Sequence, residues 1–253
     1  MGLGCGHVSG CAVLQSAARF CTGQAGLAAT QKQGVKLAHA QLARDLVAGS
    51  GDPHLHYWAA MALGIAARTR GRPEDAMANL HDALSLAEAA DNPFRRSSAL
   101  YQLSVLQREL RNAPEALAAS LAAYRFAEAA KCAYAMVNAR MAESAVMELL
   151  DRPARELAAM QEALAIARSS RSTTAEAKAL INLADIRLRR KEFSEAANLS
   201  RRSSSLAQSL GDSGLAATSK ANLGVALLGL GRAAGGKRYA DEAMAEDERT
   251  GAI

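Results

Sequence analysis

The sequence predicts an all-α fold, a solenoid of about five 40-residue helix-turn-helix repeats, and three observations carry that prediction. The first is recurrence at a fixed interval. Leu63-Gly64 is followed by Leu103-Ser104, Glu143-Ser144, Leu183-Ala184 and Leu223-Gly224, while Ala83, Ala123, Ala163, Ser203 and Ala243 keep the same spacing further along each unit. A small residue held at one place in successive units marks a point where two helix backbones approach closely, and periods of 20–50 residues signal a solenoid. The second is composition: half of the chain is apolar but only 4% is aromatic. Small side chains suit tightly packed helices, whereas strands favour β-branched and aromatic residues. The third is punctuation. Pro53, Pro73, Pro93, Pro114 and Pro153 all fall at expected turns or first helical turns, where a proline avoids the cost of about 3 kcal/mol that it carries inside a helix.

In chain order, residues 1–30 are glycine-rich and weakly patterned, with at most a short helix over 12–20. From Gln31 to Ala48, Val35, Leu37, Ala38, Leu42 and Leu46 fall on roughly one face, which predicts a helix ended by Gly49-Ser50-Gly51-Asp52-Pro53. The best-patterned unit, His54 to Asn92, then divides into two amphipathic helices at Gly71-Arg72-Pro73. Repeats follow at 54–92, 93–132, 133–172, 173–212 and 213–250, with helix pairs expected at 54–70 and 73–90, 94–110 and 114–130, 134–150 and 153–169, 174–190 and 193–210, and 214–230 and 233–249. The solenoid is therefore expected to run over 31–253, with the helix at 31–48 as a degenerate first element.

Charge and targeting signals narrow the function classes. A net charge of +5 and a pI near 9.2 are a modest excess for this length, and basic runs such as Arg187–Lys191 have no aromatic residues among them. Both points argue against a nucleic-acid interface. Basic residues near helix ends are expected to be solvated partners of the helix dipole. Cys5, Cys11, Cys21 and Cys132 match no disulfide framework or metal spacing and read as reduced thiols. Val8-Ser9-Gly10-Cys11 lacks the basic start and apolar run of a lipoprotein signal, and no stretch reaches the roughly 18 apolar residues of a membrane span. The expected location is cytoplasmic, with no membrane partner.

The units resemble tetratricopeptide repeats. Leu63, Gly64, Ala76, Leu80 and Ala83 fit the family pattern, as do Leu223, Gly224 and Ala243. The middle units depart from it: Glu143 stands for the leucine, Glu156 for a small residue, and Ser200 and Ser203 for apolar ones. The resemblance implies a right-handed α-α superhelix whose first helices line a concave groove that takes a protein or peptide. Runs such as ALSLAEAADN are similar to the sensory arrays of bacterial signalling proteins linked to a diguanylate cyclase or a transcription regulator. Gly235-Gly236 is followed by Lys237-Arg238, which is not a cyclase signature, and the glycine pair reads as a weak point in the last repeat. With no polar capping helix after Ala243, the expectation is a further C-terminal output domain or a second copy covering that end.

Aligned on that resemblance, Met61, Ile65, Tyr101, Asn138, Lys178, Asn182, Asp185 and Asn222 are the candidate groove residues, with Trp58, Val105, Met141, Ile181 and Val225 beside them. Asn182 and Asn222 stand one repeat apart, and an amide that donates and accepts can pair with the backbone of any extended peptide. The other reading is an amide that bonds across neighbouring helices. Lys178 alone does not make a carboxylate clamp, since Met61 and Ile65 occupy places where polar groups are needed. Trp58 is expected to contact the helix over 31–48. No catalytic, metal or cofactor set is visible: His54 and His56 point to different sides of a helix, and His7, His39 and His81 lack ligands at metal spacing. The expectation is a binding module rather than an enzyme, with self-association as the alternative and RNA binding third.

Overall fold

The computed structural model describes residues 41, 42, 44, 45 and 49–250. The expected weak segment over 1–30, with Cys5, Cys11, Cys21 and His7, lies outside the described residues, as does His39. The expected helix over 31–48 is described only at 41, 42, 44 and 45, which are helical. Ten helices follow in tandem. They are α1 (Pro53–Thr69), α2 (Pro73–Ala89), α3 (Pro93–Glu109), α4 (Ala113–Ala129), α5 (Ala133–Leu149), α6 (Pro153–Ser169), α7 (Thr173–Arg189), α8 (Phe193–Leu210), α9 (Ser213–Gly229) and α10 (Ala233–Thr250). Every bound falls within one residue of the helix expected from the 40-residue register.

The turns explain why the register is so regular. Gly71, Asp91, Arg111, Lys131, Asp151, Arg171, Lys191, Gly211 and Gly231, spaced 20 residues apart, all adopt left-handed backbone with φ between 43° and 75°. After each of them the next N–H reaches back five residues to a helix carbonyl, from Arg72 to Ala67 at 3.0 Å through Arg232 to Leu227 at 2.9 Å. This closes the orphan carbonyls at each helix end. Asp52, Ser172 and Asp212 cap the starts of α1, α7 and α9 with side-chain oxygens. Six of the nine left-handed positions carry a side chain, at a steric cost of about 1–2 kcal/mol each against glycine, offset in part by the freer unfolded chain. Lys131→Gly and Arg171→Gly are each expected to raise the unfolding free energy by about 0.5–1 kcal/mol in urea melts; a loss of stability in both refutes this account.

The chain forms two compact units, residues 1–92 and 93–253, each described by itself. In the first, α1 packs on α2 around Tyr57, Leu63 and Leu80. Gly64 is required there, because a Cβ would stand 2.7 Å from Leu80 Cγ. In the second, each helix packs on its sequence neighbours, and the first helices α3, α5, α7 and α9 also touch in succession. That succession creates a surface built from one helix of each repeat.

Within each pair the helices cross at small residues 12 apart. Ser104 Oγ donates to the Ala116 carbonyl at 2.8 Å, and Ser144 Oγ to the Glu156 carbonyl at 2.9 Å. In the last pair a Cβ on Gly224 would lie 3.0 Å from the Gly236 carbonyl oxygen, and one on Gly236 would meet Leu228 Cγ at 2.6 Å. Gly236 is thus a contact point between α9 and α10. This corrects its reading as only a weak point. Of the two serines that replace apolar residues, Ser203 bonds inward, its Oγ donating to the Ala177 carbonyl at 3.0 Å and lying 2.8 Å from Ser219 Oγ, whereas the buried Ser200 Oγ has no hydrogen-bond partner among the described residues.

Candidate functional site

The succession of first helices in the second unit leaves a cavity of about 240 Å³. Tyr101, Val105 and Arg108 of α3 form one wall, Met141 and Glu148 of α5 the middle, and Asn182, Asp185 and Arg189 of α7 the other wall, with Glu156 and Met160 of α6 behind. Repeat periodicity explains the arrangement. Residues 105, 145 and 185, and likewise 101 and 141, occupy equivalent helical positions, so one stripe of each first helix faces the same space.

Three of the expected residues therefore meet: Tyr101, Asn182 and Asp185, joined by Val105 and Met141. Asn182 Nδ2 donates to the Lys178 carbonyl of its own helix at 3.1 Å, and its Oδ1 accepts no hydrogen bond among the described residues. Asn222, one repeat on, behaves differently. Its Nδ2 donates to the Ile181 carbonyl at 3.3 Å and ties α9 to α7, which is the structural reading of that amide. The two asparagines share a register but not a role. Asn138 and Lys178 are half-buried on α5 and α7 without lining the cavity, and the Lys178 ammonium stands 5.7 Å from the Tyr134 ring.

Met61 and Ile65 belong to α1 in the first unit. Met61 is 5% exposed, a core side chain rather than a groove contact, which corrects its place among the candidates; Ile65 is half-buried. Trp58 is half-buried too, edge-on to Tyr57 at 5.0 Å and to His54 at 6.3 Å, and Tyr57 is the aromatic that fills the core. Its expected contact over 31–48 lies outside the described residues apart from the four named above.

The most heavily charged part of the site was visible in the sequence only as departures from the pattern. Glu156 stands where other repeats have Ala76, Ala116, Ala196 and Gly236, and its side chain is 5% exposed. Arg189 neutralises it at 2.5 Å, while the same guanidinium reaches Asp185 at 3.1 Å and Glu148 at 3.4 Å. One cation thus serves three carboxylates from α5, α6 and α7. The neighbouring Arg187 pairs with Glu192 and Glu195, and Arg190 donates to the Pro153 carbonyl. Two members of the basic run at 187–191, Arg187 and Arg189, are thus ion-pair partners, and the run is not only a solvated helix end. Glu143, the other departure, pairs with Arg140 at 2.6 Å, and Arg140 also meets Glu162 at 3.0 Å and stacks 3.8 Å above Tyr124. Two repeats on, Lys220 takes the place of Arg140 and meets Glu242 at 3.5 Å and Glu246 at 2.8 Å. The hydrogen bond to Glu246 raises the Lys220 pKa above its ordinary value, so this contribution to stability is present below the usual lysine range and is lost only as pH rises through the raised value.

Among the described residues no group of three or more His, Cys, Asp or Glu could hold a metal ion, and no helix is long and apolar enough to cross a membrane. The arrangement offers hydrogen bonds, charge and an aromatic wall.

No protein-family model matches this sequence, and no curated protein matches it. Solved structures do. One is BtubC from P. vanneervenii, 15% identical, with a TM-score of 0.66 over 87% of this chain and 91% of that one. A Rap protein complexed with competence and sporulation factor is 11% identical, with a TM-score of 0.68 over 87% of this chain and 72% of that one. A signal transduction ATPase from Pyrococcus horikoshii with a tetratricopeptide repeat sensor is 15% identical, with a TM-score of 0.63 over 88% of this chain but only 36% of the ATPase. At these identities the likeness establishes the fold: this chain has the architecture of a tetratricopeptide-repeat solenoid.

Proposed function

We propose that this chain is a protein- or peptide-binding module, the sensory part of a cytoplasmic regulatory system, and that the cavity between α3, α5 and α7 receives an extended segment of its partner. The observation that carries the reading is the convergence of Tyr101 and Asn182 from separate repeats on one space, with the Asn182 carbonyl oxygen left to accept a hydrogen bond. An aromatic wall supplies apolar area at low entropic cost, and a side-chain amide reads peptide backbone independently of sequence. A neighbour in fold was solved in complex with competence and sporulation factor, a precedent in that protein for holding a partner.

For a peptide selected from a random displayed library, Asn182→Ala is expected to weaken binding about tenfold, the loss of roughly one backbone hydrogen bond, with helicity and melting temperature unchanged. Fluorescence anisotropy measures this directly, and equal affinity of both proteins defeats the assignment of the groove.

Self-association is the second reading, favoured by Val225, Leu228 and Met244, which are 52%, 52% and 55% exposed on α9 and α10. Apolar side chains exposed on adjoining helices are a surface for another copy. It predicts a dimer by light scattering in the micromolar range that Leu228→Glu dissolves; a monomer throughout removes it.

A further inference from the structure

The two guanidinium groups that face the cavity are in opposite states. Arg189 is saturated, since its N–H donors are directed to Glu156, Asp185 and Glu148. Arg108, on the facing wall, is half-buried and has no carboxylate within ion-pair distance among the described residues. Arg140 and Arg187, also partly buried, both have acidic partners, and the partly buried Arg190 donates to the Pro153 carbonyl. Arg108 differs in that it lines the cavity and is answered by no carboxylate among the described residues.

We propose that Arg108 is the specificity-determining residue of the groove and takes a carboxylate of the bound peptide. The charge distribution then also sets the direction of binding. An anionic group approaching the α7 wall meets Glu148 and Asp185, about half exposed, with Glu156 behind them and only one shared cation. At the α3 wall it meets an unshared guanidinium whose planar fork matches a carboxylate. The ligand therefore lies with its acidic group beside α3 and its backbone passing Asn182 on α7. Arg108 sits one repeat before Glu148 in the register, so the polarity comes from a charge reversal at one repeat position. The carboxylate can belong to an Asp or Glu side chain or to a free C-terminus, and the chemistry at Arg108 is the same.

This inference rests on the groove reading above, and the test separates the two. The probe is an array of nine-residue random peptides with a fixed central Asp, Glu, Asn or Gln, each made with a free and with an amidated C-terminus. The full chain should prefer the Asp and Glu sets, or the free C-termini, about tenfold over their neutral counterparts at low salt, and the preference should shrink as salt rises. Whichever set is preferred identifies the source of the carboxylate. Arg108→Gln should abolish the preference while neutral peptides still bind, and Arg108→Lys should restore part of it. Asn182→Ala should weaken both acidic and neutral peptides. If Asn182→Ala acts but acidic peptides gain nothing, or if Arg108→Gln leaves the preference intact, the proposal for Arg108 is overturned and the groove stands. Binding indifferent to Asn182, or no binding at all, overturns both. Arg108 has no ion pair among the described residues to lose, so an unchanged melting temperature for Arg108→Gln confirms that the readout is recognition.

Discussion

Arg189→Ala is expected to destabilise the second unit by about 2–3 kcal/mol, whereas Glu156→Ala should stay within about 1 kcal/mol of the parent. The asymmetry follows from burial. Glu156 is 5% exposed on its side chain and Arg189 is 39% exposed, so removing the arginine strands a carboxylate that water cannot reach well, while removing the glutamate leaves an arginine that still has Asp185, Glu148 and solvent. An isolated buried partner typically costs 3–5 kcal/mol, and the partial exposure of Arg189 lowers the figure. Alanine at 156 is what the fold holds at Ala76, Ala116 and Ala196, all fully buried, and the Ser144 bond goes to the backbone and survives the substitution. The double variant should resemble Glu156→Ala alone. Urea denaturation of the four proteins closes the cycle, and a coupling energy near zero would mean that the pair is not held together as described.

Two glycines eleven residues apart should respond in opposite directions. Gly224→Val is expected to cost about 3 kcal/mol, because even a Cβ there stands 3.0 Å from the Gly236 carbonyl oxygen and 3.3 Å from the Ala240 nitrogen, and backbone cannot step aside as a side chain can. Gly235→Ala should instead stabilise α10 by about 0.5–1 kcal/mol: its Cβ would meet Leu227 Cδ1 at 3.5 Å, an ordinary contact, and a helix interior gains by losing a glycine. Thermal melts followed by circular dichroism distinguish the two, and stabilisation by Gly224→Val would refute the close approach of α9 and α10.

The helices were legible because their period is enforced by packing that the sequence displays: small residues at 64, 104, 144, 184 and 224 can mean only a recurring close approach. The left-handed turns were half legible. Gly71 announces one, but Arg111, Lys131 and Lys191 adopt the same backbone because the hydrogen bond to the carbonyl five residues back compensates for the strain. That Tyr101, Asn182 and Asp185 face one cavity was legible because position in the repeat fixes direction. Arg189 and Glu156 were not. Their meaning depends on a contact between residues 33 apart on adjacent repeats, and neither residue alone carries it. Asn222 shows the same limit from the other side, since register sets it one repeat after Asn182 while a neighbouring carbonyl decides its use.

The turns have one more consequence. Left-handed residues every 20 positions, each followed by the same backward hydrogen bond, make the junctions of the second unit interchangeable. A cut at Lys131 rejoined at Arg171 would meet matching backbone on both sides and remove one repeat without opening a core elsewhere, since helices touch only their near neighbours. Duplication of one such block would lengthen the array by the same rule. Length is thus adjustable in whole blocks, while contacts that span repeats, such as those of Arg189 with Glu148 and Glu156, change with the block removed.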